Sequence, residues 1–174
     1  YMPGQSRVHR TALSELLRSL KGGSGDAFNV FYEDSIRPGG IFIGLISESE
    51  VAQRLAWLGQ VNLHNLSPDM DAYEVLVQDG ALYALGNTPR GLLHAVYHLQ
   101  DIIQERTELP NDLHCKGTFH IGHRIFHPRF DDWPGQRHDI RYISRLGASH
   151  CLVTHDWQGA RRHLQGYVSS PIFP

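Results

Sequence analysis

Long apolar runs, cysteines and blocks of like charge are all scarce in this chain of 174 residues. No stretch approaches the roughly 18 consecutive apolar residues of a membrane-spanning helix, so we expect no membrane partner. Two cysteines, Cys115 and Cys151, do not define a disulfide framework. The 16 lysines and arginines are balanced by 18 aspartates and glutamates. We therefore expect no nucleic-acid partner, since such a partner usually requires a basic patch.

The sequence also lacks the signatures of several enzyme classes. It contains no G-x-S-x-G, and neither cysteine lies in a recognisable nucleophile context. The glycines at 22–25 are not followed by the Gly-Lys-Ser/Thr of a phosphate-binding loop. We predict no cofactor.

Histidine is unusually frequent, with 12 in the chain, and one dense group suggests a metal site. Zinc prefers histidine and cysteine ligands, but the spacing of the residues in this group matches no standard zinc motif. On a helix, His94 and His98 would share one face as in H-E-x-x-H, yet Ala95 replaces the glutamate of that motif. We predict that these two histidines face water and that the chain holds no metal, with a histidine-rich metal binder as the weakest alternative. The dense group is His114, Cys115, His120, His123 and His127.

The clearest local pattern lies between Asp71 and Ile103. Apolar residues alternate over 73–77 and 81–85, and Asp79-Gly80 between them is typical of a tight hairpin turn. Asn87 or Thr88 can then cap a helix that starts with Pro89. The helical periodicity is carried by Leu92, Ala95, Val96, Leu99, Ile102 and Ile103.

This hairpin and helix resemble the small α/β domain that precedes the catalytic barrel in β-hexosaminidases and α-glucuronidases. The similarity is carried by a G-x-x-x-R-G segment, present here as Gly86 to Gly91 with Arg90 before the second glycine. The resemblance implies a hexosaminidase domain-2-like accessory domain in a carbohydrate-processing enzyme.

The preceding residues complete an α+β pattern. We predict a helix over 7–20, strands over 28–32 and 41–46, and a helix over 47–58 capped by Ser47 or Ser49. With the hairpin and its helix, this order predicts a small mixed β-sheet with helices packed on one face. We place this first domain at residues 1–116.

Residues 117–174 indicate a partial TIM-barrel βαβ segment, with strands over 119–126 and 151–154 and a helix over 136–146. Arg145 to His150 resembles the turn before the second barrel strand in many glycoside hydrolases. A complete (β/α)8 barrel takes roughly 250 residues, whereas 57 residues follow Gly117. We therefore expect an incomplete barrel fragment that ends in a loop over 169–174. Its exposed strand edges favour self-association.

Candidate saccharide contacts follow the two barrel-type strands, because substrates bind at the carboxyl ends of barrel strands. Arginine and aspartate can hydrogen-bond sugar hydroxyls, and tryptophan offers a flat face to a sugar ring. Packing tryptophans, a structural arginine and helix-capping aspartates are the alternative interpretation. The candidates are Arg129, Asp131, Asp132, Trp133, His155, Asp156 and Trp157.

The resemblance implies a non-catalytic N-terminal domain that supports a glycoside hydrolase barrel, whose remainder would be its partner. The two carboxylates of glycosidase chemistry come from later barrel strands in the resembling enzymes, so we predict no catalytic residue in this chain and no activity from it alone. A stand-alone saccharide-binding or scaffold domain is the alternative. The pattern assigns neither a glycan nor a compartment.

Overall fold

A computed structural model describes residues 1–4, 6–24, 28–67, 70–105, 110–120, 125–126, 145, 147, 150–155 and 166–171. The chain divides into two compact units, Tyr1–His120 and Ile121–Pro174. Among the described residues, no helix combines the length and the apolar character needed to cross a membrane.

The first unit is an α+β fold built on a four-stranded mixed sheet. The strands lie in the order β1-β3-β2-β4, with β1 parallel to β3 and both remaining pairs antiparallel. This confirms the predicted α+β class and the small mixed sheet. In chain order the elements are α1 (Arg7–Ser24), β1 (Ile41–Leu45), α2 (Glu50–Trp57), a 3₁₀ turn (Leu63–Asn65), β2 (Asp71–Gln78), β3 (Ala81–Gly86), α3 (Pro89–Glu105) and β4 (His114–Phe119).

The hairpin between β2 and β3 has the predicted tight turn. Asp79 and Gly80 have φ values of 51° and 73°, as a two-residue type I′ turn requires. The turn fixes the register, which pairs Gln78 with Ala81 and Tyr73 with Gly86. The sequence pattern therefore predicted this element in detail.

The two long helices cover one face of the sheet. Helix α3 contacts β1, β2 and β3, and α1 packs against α3 and β1. The Gln100 side chain of α3 donates a hydrogen bond to the backbone oxygen of Glu15 in α1. The short helix α2 packs on the other face of the sheet, because successive strand side chains point to opposite faces. Its cluster includes Phe42, Ala52, Leu55, Leu76, Tyr83 and Leu85.

The strand predicted over 28–32 is wrong, because these residues have no strand assignment. The free edge of β1 is occupied by the start of the chain instead: the Ile43 N–H donates to the Tyr1 oxygen at 2.9 Å. Phe31 stacks on Tyr1 with ring centroids 5.1 Å apart and remains 40% exposed. The apolar pattern of residues 28–32 could not reveal that the start of the chain already pairs with the edge of β1.

Strand β4 lies where we placed the domain boundary. It pairs along β2, with Asp71 opposite Phe119 and Leu76 opposite His114. The predicted boundary between residues 116 and 117 thus falls inside a strand of the first sheet, and the first unit continues to His120.

The second unit contains β5 (Ile125–Phe126), β6 (His150–His155) and β7 (Gly166–Pro171). Strands β5 and β6 are parallel, as a βαβ piece requires, but β6 and β7 are antiparallel. The loop predicted over 169–174 is therefore wrong for residues 169–171, which pair with β6. An antiparallel neighbour also differs from the all-parallel pairing of a (β/α)8 barrel. The helix predicted over 136–146 lies largely outside the described residues.

Candidate functional site

The polar centre of the first unit is the carboxylate of Asp71, at the first residue of β2. Its side chain is 1% exposed, and the Arg90 Nε lies 3.1 Å from Oδ2. The Thr88 hydroxyl donates to Oδ1 at 2.7 Å. A buried carboxylate needs such partners, because removal of its charge from water is costly. The contacts therefore tie the start of β2 to the first turn of α3.

Asn87 closes the same corner through its amide. Its Oδ1 accepts from the Ala72 N–H at 2.7 Å, and its Nδ2 donates to the Met70 oxygen at 2.7 Å. Thr88 then caps α3, because its Oγ1 accepts from the Gly91 N–H at 3.0 Å. Of the two predicted caps, Thr88 caps the helix and Asn87 binds the strand.

The glycines of this segment are required by close backbone packing. A Cβ on Gly91 would overlap the carbonyl oxygen of Ala72, and a Cβ on Gly86 would overlap the backbone of Leu92. Arg90, which lies between these two glycines in the sequence, forms the ion pair with Asp71. The G-x-x-x-R-G pattern thus has a packing explanation, and its polar groups bind one another.

A second buried carboxylate, Glu74, lies on the sheet face opposite α3 and is 2% exposed. Its Oε1 accepts from the Asn62 N–H at 2.8 Å, and its Oε2 lies 2.6 Å from the Nε2 of His114. The His114 side chain is 36% exposed. The sequence pattern places His114 among possible metal ligands and does not reveal this pair, because the pair depends on the β2–β4 register.

The prediction that His94 and His98 face water is wrong for His94, which is 6% exposed. Its ring centroid lies 4.4 Å from that of Phe119, and the His98 ring lies 5.6 Å from that of Tyr73. Burial raises the pKa of Tyr73 above its usual range. The addition of β4 beside β2 covers these rings, which a helical pattern alone could not predict.

No group of three or more histidine, cysteine, aspartate or glutamate side chains could hold a metal ion within the described residues. Two of the five residues of the dense histidine group, His123 and His127, lie outside those residues. His114 is paired with Glu74.

The predicted saccharide contacts fall mainly outside the described part of the chain. Only His155 is placed, as the last residue of β6, where it pairs in register with Gly166. Whether the predicted residues meet in space therefore stays a prediction. Those outside the described residues are Arg129, Asp131, Asp132, Trp133, Asp156 and Trp157.

No family model and no curated protein sequence matches this chain. Among solved structures, it is similar to BtGH115A, a family GH115 4-O-methyl-α-glucuronidase described as specific for decorated arabinogalactans. The TM-score is 0.66 at 15% sequence identity, over 87% of this chain. The chain spans 24% of the length of that enzyme. At this identity the likeness concerns the fold.

Proposed function

We propose that this chain is an N-terminal part of a carbohydrate-processing glycoside hydrolase. In this proposal residues 1–120 are an accessory domain that is non-catalytic towards glycosides, and the later residues begin the part that hydrolyses them. The fold likeness to an α-glucuronidase over 87% of the chain carries the proposal. The remainder of the parent enzyme would be the partner.

The polar network of the first unit supports a structural role for that domain. Asp71 is 1% exposed and is bonded to Arg90 and Thr88. Glu74 is bonded to His114 and to the backbone of Asn62. Glycosidase chemistry needs two carboxylates that flank a bond of the sugar, whereas Asp71 and Glu74 lie on opposite faces of the sheet and each is bonded to its own protein partners.

An assay on aryl glycosides tests the accessory role. The chain is incubated with a panel that includes an aryl N-acetylglucosaminide and an aryl glucuronide, and release of the aryl group is followed. We expect no release above background. Turnover that disappears in an Asp131→Asn/Asp132→Asn variant would show that the chain is itself a hydrolase.

A stand-alone saccharide-binding or scaffold domain is the second candidate function. It would use the predicted contacts after β5 and β6, with Trp133 and Trp157 as platforms for sugar rings. Calorimetric titration with a decorated arabinogalactan tests it. Binding that Trp133→Ala and Trp157→Ala weaken, without glycoside hydrolysis, would favour this candidate over the accessory domain.

A further inference from the structure

Ser6 lies at the N-terminus of α1 and is exposed to solvent. Its Oγ is 2.8 Å from the Nδ1 of His9, one helical turn further on. Its backbone oxygen accepts from the Arg10 N–H at 3.1 Å, so Ser6 also occupies the capping position of α1. A serine hydroxyl therefore contacts an imidazole nitrogen directly at the protein surface.

The imidazole of His9 is fixed behind this hydroxyl. His9 is fully buried, and a Cβ on Gly4 would overlap its ring. Within the described residues, Nε2 has no hydrogen-bond partner and lies 3.6 Å from the Oε2 of Glu48. Glu48 follows β1 in the loop before α2, and its side chain is 49% exposed. It can approach the ring by rotation about its own side-chain bonds.

These positions favour one protonation state of the imidazole. Burial lowers the pKa of His9 below its usual value, and the nearby charge of Glu48 opposes that shift. The ring is therefore neutral near neutral pH. With its proton on Nε2, facing the Glu48 carboxylate, the lone pair of Nδ1 accepts from the Ser6 hydroxyl.

We propose that Ser6, His9 and Glu48 form a nucleophile, base and orienting carboxylate that accept an acyl group from activated esters. A serine hydroxyl becomes a nucleophile when an adjacent base takes its proton and a third group orients that base. The distance of 3.6 Å between His9 Nε2 and Glu48 Oε2 is compatible with this role, because catalytic hydrogen bonds are often long in the absence of substrate.

The reaction involves one bond exchange at the ester carbonyl. Ser6 Oγ attacks the carbonyl carbon while its proton moves to His9 Nδ1. The bond from that carbon to the leaving oxygen then breaks, and the leaving group takes the proton from the imidazolium. In this proposal the first-turn N–H groups of α1 stabilise the negative oxygen of the intermediate, because they have no backbone acceptor within the helix. One of them, the His9 N–H, donates to Ser6 Oγ at 3.4 Å in the absence of substrate. Water reverses the steps and releases the acid.

The substrate class follows from the exposure of Ser6. An open surface position offers little binding energy, so the site should react with small acyl groups on good leaving groups, such as aryl acetates. This proposal is independent of the glycoside hydrolase assignment, because it concerns esters and residues of the first unit alone.

Acetylation of the whole chain by p-nitrophenyl acetate tests the site, with peptide mass mapping to locate the acetyl group. We expect one rapidly formed adduct on Ser6 and labelling of Ser6 by a fluorophosphonate. Ser6→Asp should lose both, although aspartate retains a helix cap. Glu48→Gln should slow acetylation at least about tenfold, because it removes the group that orients the His9 base, whose own contribution is roughly 10²–10⁴-fold. Ser14→Ala, which changes an exposed serine of the same helix, should react like the parent chain.

Two results would overturn the proposal. One is adduct formation at other residues with Ser6 unlabelled, which would leave Ser6 as a helix cap only. The other is an acetylation rate of Ser6 that Glu48→Gln does not change. If Ser6→Asp fails to fold, the location of the adduct on the parent chain and the rate in Glu48→Gln still decide the question.

Discussion

Asp71 is a buried charge whose partners come from a segment 17 to 19 residues further along the chain. Neither residue type in isolation predicts the pair, because aspartate at a strand start and arginine in a first helical turn are usually exposed. The sequence shows the pattern formed by Gly86, Arg90 and Gly91. The packing of α3 against β2 explains why these residue types are needed there. Contacts that depend on register were hidden from the sequence in the same way, as His94 and His114 show.

Loss of the Arg90 cation should destabilise the first unit. We expect Arg90→Gln to lower the free energy of unfolding by about 3 kcal/mol, since a broken buried pair leaves an uncompensated charge. This value is the low end of the roughly 3–5 kcal/mol that loss of one partner of a buried ion pair costs, because the Arg90 side chain is 30% exposed. Urea denaturation measures the change, and the exposed Arg54→Gln in α2 should cost less than about 0.5 kcal/mol.

A double-mutant cycle separates the pair from its surroundings. Asp71→Asn removes the charge but keeps an acceptor for the Thr88 hydroxyl, so the double variant with Arg90→Gln should lose less than the sum of the single losses. Strict additivity would contradict an interaction between these two side chains.

His9 should make stability depend on pH. Its pKa in the folded chain lies below its ordinary value of 6.5. As the pH falls, the unfolded chain therefore binds more protons than the folded chain. The stability from neutral His9 is present above about pH 6.5 and is lost below it. We expect His9→Gln to flatten the fall in unfolding free energy between about pH 7.5 and 5. The exposed His64→Gln should retain the full slope, and equal slopes in both variants would contradict the assignment.

The hairpin and α3 were predictable because each is specified by neighbouring residues: a two-residue turn, a cap and an apolar stripe. Strand β4 was not, because its partner β2 lies about 40 residues earlier and its exposure alternates over HCKGTF without a strong apolar pattern. The strand predicted over 28–32 failed for the opposite reason: its apolar pattern was strong, but residues Tyr1 and Met2 occupy that side of β1.

Gly91 in the first turn of α3 offers a test of the close helix–strand approach. Glycine to alanine in a helix normally stabilises by about 0.5–1 kcal/mol. Here the added Cβ meets the Ala72 carbonyl oxygen, so we expect a loss of about 3 kcal/mol from overpacking. Thermal or urea unfolding measures it.

Gly39→Ala is the matched control for Gly91→Ala. Gly39 has open space around its Cβ position and a φ of 77°, so its change should cost only about 1–2 kcal/mol of backbone strain. A gain of stability in Gly91→Ala would mean that the strand and helix do not meet as described.

The two units differ in how far the sequence defined them. In the first, local patterns and a family resemblance gave the class of fold and most of its elements. In the second, the βαβ expectation agrees with the parallel β5–β6 pair but not with the antiparallel β6–β7 pair. The candidate saccharide residues follow β5 and β6, so their arrangement depends on pairings that a single sequence does not define.

The boundary of the first unit predicts how the chain can be divided. All four strands of the first sheet end by Phe119, so we expect residues 1–120 to unfold in one cooperative transition. We also expect limited proteolysis to leave a resistant fragment that ends near His120 rather than near 116. A fragment of residues 1–113 is the control, because it lacks β4. It exposes the edge of β2, and it removes His114 from Glu74 and Phe119 from His94.

The shorter fragment should be less stable by several kcal/mol or should associate, since an unpaired strand edge is a template for another chain and an unpaired buried carboxylate is costly. Circular dichroism melting and sedimentation velocity measure the two effects. Equal melting temperatures for 1–113 and 1–120 would show that β4 does not belong to the first sheet and would return the boundary to residue 116. If only 1–113 is weakened, the segment before the second unit is part of the fold of the first.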